Sequence, residues 1–475
     1  MPLWAVDAAP GPLVVVEIRD YKYLPARLRI KAGTTVRWIN AEKRTTHTVR
    51  FGGPDGVESE RLFPGEHFER RFDKPGAYDY TCGPHPEMTG RIGCDATGRI
   101  TGMEFVGRFN TGAYSSWGPT VANRVPVHVS GPYLTPNISS RARAVHTNGP
   151  VSGAFRGFGV PQGALWQETL YDRLAEKAGL DRLEFRILNA LQDGDPSPTG
   201  NNLQATGIKP CLEALRPAWA RARAWAKAGN GRGIGVASCW YGCGNTALPN
   251  PSTIRIGITA TGAVVLHQGA TDIGQGSNTV IAQIAADAVG LPVHAFRLIG
   301  PDTGLTPDAG KTSASRQTYV TGKAAEKAGR SLRATILRLA NAGQGAVITL
   351  SPGRITVTEG ATRREIALAP LPQDANGYAL CAEETYDPPT RPLDENGQGI
   401  PYAVYGYGAQ LVELSVDRGL ATVKLHRITA AHDLGRVINP RLATGQISGN
   451  AAVPASFNVE IRSGGKEEEV ILASD

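Results

Sequence analysis

The stretch Tyr80-Thr81-Cys82-Gly83-Pro84-His85-Pro86-Glu87-Met88 puts a thiol, an imidazole and a thioether at Cys-x2-His-x2-Met spacing within one short turn. That mixture of soft and borderline donors suits copper cycling between Cu(I) and Cu(II). His47, in Thr45-Thr46-His47-Thr48-Val49, supplies a second imidazole from an earlier strand edge. Two His and a Cys with a weak axial Met are the donor set of a blue-copper electron-transfer centre. Singly, Cys82 and Met88 read as core residues and His85 as a turn residue; it is the four together, in this order, that point to a metal. Pro84 and Pro86 flank His85 and restrict the backbone there, as a site that must hold two oxidation states without rearranging requires.

Around this turn the chain reads as all β. Val14-Val15-Val16-Glu17-Ile18, Leu28-Arg29-Ile30, Thr35-Val36-Arg37-Trp38-Ile39 and His67-Phe68-Glu69-Arg70-Arg71-Phe72 are short segments rich in β-branched and aromatic residues. Glycine- and proline-bearing turns separate them, which predicts a small antiparallel sandwich over residues 1–92.

This stretch resembles the cupredoxins, most closely the amicyanin and plastocyanin type. The resemblance runs through Thr35-Val36-Arg37-Trp38-Ile39-Asn40, His47, and Gly76 to Ile92. It implies a Greek-key sandwich holding type 1 copper, with His47, Cys82 and His85 as equatorial ligands and Met88 as the axial one. It also implies a periplasmic setting, although Met1–Pro12 lacks the basic start and apolar middle of a signal peptide.

The whole sequence is larger than one core usually serves: 475 residues predict two to four domains. Apolar residues make up 41% and charged ones 20%, an ordinary globular balance, and the net charge of +7 is interleaved rather than blocked. Nucleic acid is therefore not an expected partner. No apolar run reaches the length of a membrane-spanning helix. Six cysteines, at 82, 94, 211, 239, 243 and 381, are too scattered for a disulfide framework.

From residue 93 the pattern changes to mixed α and β. Helices are predicted over Gln162–Leu191 with a break at Gly179, where Leu165, Thr169, Leu170, Leu174, Leu183, Phe185, Ile187 and Leu188 give apolar faces, over Thr279–Val289 ending at Gly290, and over Thr318–Ala342 with Ala324, Ala325, Ala328, Leu332, Ile336 and Leu339 on one side. Strands are expected at 252–258, 263–268, 295–299, 353–357, 409–415 and 421–428. Gly304 to Thr312 imitates a phosphate-binding P-loop, but five residues rather than four separate Gly304 from Gly310, which spoils the amide cradle.

Several motifs in order are similar to the molybdopterin-binding large subunit of xanthine dehydrogenases and aldehyde oxidases. They are Ser152-Gly153-Ala154-Phe155-Arg156-Gly157-Phe158-Gly159, Asp272-Ile273-Gly274-Gln275-Gly276, Thr312-Ser313-Ala314-Ser315-Arg316-Gln317, and Asp433-Leu434-Gly435 through Asn439-Pro440 to Gly445-Gln446. The resemblance implies an α+β molybdopterin-binding domain over 93–475. Phe155, Arg156, Gln275 and Gln446 would contact the molybdenum–molybdopterin cofactor, and Ser313, Ala314 and Ser315 would line its phosphate side. Arg124 matches the arginine that orients an oxygenated heterocycle in xanthine-type members; read alone, it is as well explained as a surface arginine.

The implied reaction is oxidative hydroxylation of an aldehyde or nitrogen heterocycle, with iron–sulfur and FAD subunits or a redox protein as partners. In the family the proton-abstracting glutamate follows the Ile-Leu-Ala-Ser run, and no Glu of this sequence matches it. A copper carrier joined to a non-catalytic cofactor-domain fragment is the alternative expectation, and an interaction scaffold a third.

Overall fold

The computed structural model describes residues 13–19, 22–24, 30, 32, 34–42, 47–51, 59–73, 80–81, 88–450, 456–463 and 466–472. The chain divides into two compact units, Met1–Gly90 with Val106–Phe109, and Arg91–Phe105 with Asn110–Asp475.

In the first unit the strands are β1 (Leu13–Arg19), β2 (Lys22–Leu24), β3 (Thr34–Asn40), β4 (Arg50–Phe51), β5 (His67–Phe72) and β6 (Tyr80–Thr81). One sheet has the order β2-β1-β3-β5, and β4 pairs with β6. In β3 alternate residues Thr34, Val36, Trp38 and Asn40 are buried, the period-two pattern of a strand with one face on a core. Val16, Ile18, Val36, Trp38, Val49, Phe51, Leu62 and Phe72 form that core. Trp38 is its centre, with Phe51 edge-on at 5.6 Å and Phe72 at 6.2 Å. One pairing departs from the expected antiparallel arrangement: β1 and β3 run parallel, Val14 opposite Val36 and Val16 opposite Trp38. The cause is topological. The chain reverses once into β2, then crosses to add β3 on the other side of β1, so the second reversal restores the original direction.

The next strands and helices are β7 (Met88–Cys94), β8 (Ile100–Gly112), α1 (Gly118–His128), β9 (Ile138–His146), α2 (Val160–Lys177), α3 (Arg182–Asn189), α4 (Ile208–Ala214), α5 (Arg216–Lys227), β10 (Arg232–Gly242), β11 (Ser252–Thr259) and β12 (Val264–Gln268). There follow α6 (Ser277–Val289), β13 (Phe296–Ile299), α7 (Gly322–Leu339), β14 (Val347–Ser351), β15 (Arg354–Glu359), β16 (Thr362–Ala367), β17 (Tyr378–Tyr386), β18 (Tyr405–Asp417), β19 (Thr422–Asp433), α8 (Pro440–Asn450), β20 (Ser456–Ser463) and β21 (Lys466–Leu472). A π-helical turn, Gln317–Thr321, leads into α7.

Two cores organise the second unit. In one, the β13-β12-β11-β17 sheet buries Ile254, Ile256, Ile258, Val264 and Leu266 against Ile281 and Ala285 of α6 and Ala324, Ala325, Ala328, Leu332 and Ile336 of α7. In the other, α3, α4 and α5 pack Leu183, Ile208, Leu212 and Trp219 on Val236, Trp240, Tyr407 and Leu411 of the β10-β18-β19-β20-β21 sheet. Local signals set the helix ends. Asp181 caps α3, its Oδ1 accepting from Leu183 N at 2.9 Å and Glu184 N at 3.3 Å, and α6 stops at Gly290 with φ +83°.

Two expected helix faces are corrected. Leu339 is 48% and Leu165 68% exposed. In α2 the buried side carries Gly163, Trp166, Gln167, Glu168, Tyr171 and Ala175 instead, because a charged pair described below draws polar residues inward.

Candidate functional site

A cavity of about 2430 Å³ opens in the second unit, larger than the few hundred to a thousand Å³ of an ordinary small-molecule site. All eight residues singled out for cofactor or substrate contact line it: Arg124, Phe155, Arg156, Gln275, Ser313, Ala314, Ser315 and Gln446. They arrive from α1, three loops and α8, separated by as much as 322 positions in sequence.

Each loop is held by its own chemistry. Gly157 and Gly159 have φ of +92° and +101°, and a Cβ on Gly159 would stand 2.5 Å from Val121 O of α1, so only glycine lets the Phe155-bearing loop sit there. Phe155 itself is 86% exposed. Gln275 is fixed within its turn: Oε1 accepts from Ile273 N at 2.6 Å, and Nε2 donates to Ser277 Oγ at 3.0 Å. Asp272 accepts from Gly274 N at 2.9 Å and Asn278 N at 3.0 Å, and these bonds hold its carboxyl below the usual carboxylate range against the opposing effect of burial.

The 311–316 loop is the most constrained. Ala314 and Ser315 both have φ +54°, and Arg316 follows at φ −88°, ψ −21°. A left-handed residue followed by a right-handed one is the backbone pairing of an anion-binding nest, and here Arg316 N also donates within the loop, to Ser313 O at 3.3 Å. Gly244 N donates to Ala314 O at 2.8 Å. Arg316, 1% exposed, pins the loop from beneath: Nε donates to Asn250 Oδ1 at 2.7 Å, Nη2 to Asn250 O at 2.9 Å and Pro251 O at 2.6 Å, and Nη1 to Ala309 O.

Arg124 is no surface residue. It is 2% exposed, its terminal nitrogens donate to Tyr241 Oη and Gly244 O, and its guanidinium lies 4.8 Å from the Tyr241 ring, 5.1 Å from Tyr402 and 5.4 Å from Phe158. Its Nε is buried without a partner among the described residues. The wall is cationic, with Arg156, Lys311 and Arg436 beside this arginine, and Lys311 Nζ is 4.8 Å from the Trp117 ring. Nest, cations and unsatisfied donor together suit a large organic anion.

In the first unit, His47 is 1% exposed. Its backbone exchanges hydrogen bonds with Leu62 at 3.1 and 2.7 Å, and buried Asn40 Nδ2 donates to Leu62 O at 2.8 Å. Cys82 and His85 lie outside the described residues, and Met88 is described only as the first residue of β7.

Sequence reasoning missed a buried polar network elsewhere in the second unit. Arg186 Nε donates to Glu168 Oε2 at 2.6 Å, and Tyr133 Oη donates to Glu168 Oε1 at 2.8 Å and lies 2.6 Å from Ser238 Oγ. This network joins α2, α3 and β10 inside the protein. Burial disfavours the Arg186 cation, but Glu168, Tyr133 and Asp172 outweigh it and hold the guanidinium charged.

The first unit is thus a small β domain with a buried histidine, and the second an α/β domain with a cationic cavity large enough for an organic anion. Comparison supplies the family. Residues 80–190 and 213–454 match molybdopterin cofactor-binding domains, and residues 12–94 match copper binding proteins of the plastocyanin/azurin family. The chain belongs to the molybdopterin cofactor-binding family. It is 33% identical over 379 residues to the xanthine dehydrogenase molybdenum-binding subunit of Escherichia coli O157:H7, covering 76% of this chain and 49% of that one. The aldehyde oxidoreductase of Megalodesulfovibrio gigas is 29% identical over 374 residues, covering 77% and 39%. Among solved structures, the aldehyde oxidoreductase from Desulfovibrio desulfuricans superposes with a TM-score of 0.66 at 27% identity, over 77% of this chain and 38% of that one. The chain thus spans about half or less of the length of these relatives. Among the described residues, no helix is long and apolar enough to cross a membrane.

Proposed function

We propose that the chain is a redox protein in which a type 1 copper electron-transfer domain, residues 1–92, serves a molybdenum-hydroxylase-type module, residues 93–475, acting on an aldehyde or nitrogen heterocycle. The observation that carries this reading is the convergence of eight residues from five sequence-distant segments on one cationic cavity. In this reading His47, Cys82, His85 and Met88 would hold copper, a donor set whose thiolate, imidazoles and thioether would suit both oxidation states.

Phe155, Arg156, Gln275 and Gln446 contact the pterin cofactor, while Ser313, Ala314 and Ser315 present the nest to its phosphate. Arg316 keeps that nest in shape. Arg124 would orient the substrate through the N–H groups not engaged by Tyr241 and Gly244, the Nε–H among them. When bound, the molybdenum–pterin group would supply oxidative hydroxylation, in which a substrate C–H becomes C–OH with oxygen from water and two protons and two electrons are released, and copper would pass those electrons on singly. Iron–sulfur or FAD subunits, or a redox partner protein, complete the proposed electron route.

A second reading, a copper carrier with a non-catalytic cofactor-domain module, is favoured by the carboxylates in the wall. Among the described residues, two of the three wall carboxylates are engaged, Glu326 with Lys323 and Arg330, each at 2.6 Å, and Asp433 Oδ1 with Gly435 N at 2.9 Å, while the third, Asp287, is exposed on α6. Molybdenum and pterin analysis of protein made in cofactor-competent cells separates the readings. The copper half is tested by the intense visible thiolate-to-copper band, which is expected to vanish in Cys82→Ser; a colourless copper-loaded wild type contradicts it.

A further inference from the structure

Gln275, which the proposed function sets against the cofactor, has both amide hydrogens engaged within its own turn. Its Oε1 accepts from Ile273 N at 2.6 Å, and Nε2 donates to Ser277 Oγ at 3.0 Å and to Thr271 O at 3.2 Å. An amide nitrogen carries two hydrogens and no more. To donate to a ligand in the cavity, Gln275 must give up one of these bonds, and the longer, to Thr271 O, is the weaker. The carbonyl it would leave is not stranded, because Thr312 Oγ1 donates to the same Thr271 O at 2.8 Å.

The direction of the Thr312 hydroxyl is set from inside the protein. Ser252 Oγ, at the buried start of β11, donates to Thr321 Oγ1 at 2.9 Å, and Thr321, buried in the π-helical turn, donates to Gln317 Oε1 at 2.5 Å. With its oxygen so engaged, Gln317 turns Nε2 to Thr312 Oγ1 at 2.9 Å. A hydroxyl that accepts there still has its one proton to give, and that proton lies on Thr271 O. The chain of bonds thus runs one way, from β11 through the π-helical turn and the 311–316 loop to the turn that carries Gln275. Thr312 and Gln275 both line the cavity.

We propose that Thr312 is a positioning residue for Gln275: by holding Thr271 O, its hydroxyl lets the Gln275 amide move one N–H from its own turn to the cofactor without leaving that carbonyl unsatisfied. Before the move two donors share the two lone pairs of the carbonyl; after it Thr312 alone remains. The inference rests on the proposed function and deepens it by naming what frees one of its contacts.

The experiment measures how fast pterin leaves the full chain on dilution, after purification from cofactor-competent cells. It compares wild type, Thr312→Val, Thr312→Ser, Gln275→Ala and the Thr312→Val/Gln275→Ala double variant, with Thr312→Ala in place of the valine variant where that fails to fold. Thr312→Val is expected to lose pterin about fivefold faster, the size of one ordinary hydrogen bond, and Thr312→Ser, which keeps the hydroxyl, to match wild type. Since Thr312 acts through Gln275, the valine substitution is expected to add less than about twofold once Gln275 is alanine. A plain structural brace would speed the loss equally in both backgrounds, and that result overturns the proposal. So does a wild-type rate in Thr312→Val, or a Thr312→Ser rate as fast as that of Thr312→Val. Gln275→Ala that loses pterin no faster than wild type removes the Gln275 contact and the positioning role with it, and leaves the rest of the proposed function standing. A wild type that retains no pterin overturns the proposed function as well.

Discussion

The Nε2 of buried His128 accepts a hydrogen bond from the backbone N–H of Gly242 at 3.1 Å. With that nitrogen an acceptor, the ring proton sits on Nδ1, 3.1 Å from Arg124 O, and the neutral imidazole ties α1 to the end of β10. The same residue carries Trp240, whose Nε1 donates to His128 O at 3.1 Å. His128 is therefore a joint beneath the cavity wall rather than a proton carrier. Burial first, and the Arg124 charge second, lower its pKa to about 3.

Stability should therefore fall with acid in a defined window. Below pH 6.5 the unfolded chain binds a proton here that the native chain refuses until about pH 3, so this site costs about 1.4 kcal/mol per pH unit across that interval and nothing above it. Urea unfolding of wild type and His128→Gln from pH 7.5 to 4 measures the difference. The variant is expected to show the shallower slope, and equal slopes contradict the assignment.

Glu168 and Arg186 form a buried charged pair, 8% and 0% exposed at the side chain. Truncating either partner removes the chief counter-charge of the other, Arg186 keeping only Asp172 at 2.8 Å, so Glu168→Ala and Arg186→Ala should each cost about 3–5 kcal/mol. A Glu168→Leu/Arg186→Met double variant should recover much of that loss. Chemical denaturation of the four proteins decides it, and additive losses in the double variant count against the pairing.

Arg316 reaches its carbonyl oxygens with a planar fork that lysine lacks. Arg316→Lys is therefore expected to lower thermal stability, and to reduce pterin retention more than a surface control such as Arg338→Lys does. Protease digestion should cut the 309–316 loop faster in Arg316→Lys; an unchanged cleavage pattern argues against the anchoring role.

Gly159→Ala is expected to destabilise by at least about 1 kcal/mol, because φ of +101° is strained for alanine and the new methyl would overlap Val121 O. Differential scanning calorimetry against Gly179→Ala, which has positive φ but open space around it, isolates the steric part. Equal losses in the two variants would leave only the backbone effect.

How much was legible in the sequence depended on whether neighbours in space were also neighbours in pattern. The alternation of β3 and the alanine face of α7 were readable because burial there follows a local period. The loops around Phe155, Gln275 and Ser313–Ser315 were picked out by motif, while their shared cavity is a tertiary fact. Glu168 and Arg186 were invisible because charged residues on a helix read as solvent-facing, and their mutual attraction across 18 positions overrides that rule. Arg124 sits on a helix containing Pro126, which hides the helix from a propensity reading and with it the burial of the arginine. Leu165 and Leu339 failed for the converse reason: apolar character alone does not say which side of an amphipathic helix meets the core.

The most direct measurement is the molar content of copper, molybdenum and pterin in the full chain purified from cells that synthesise the molybdenum cofactor. The account predicts close to one copper, and molybdenum with pterin, per chain. Copper-loaded protein that carries neither molybdenum nor pterin contradicts it.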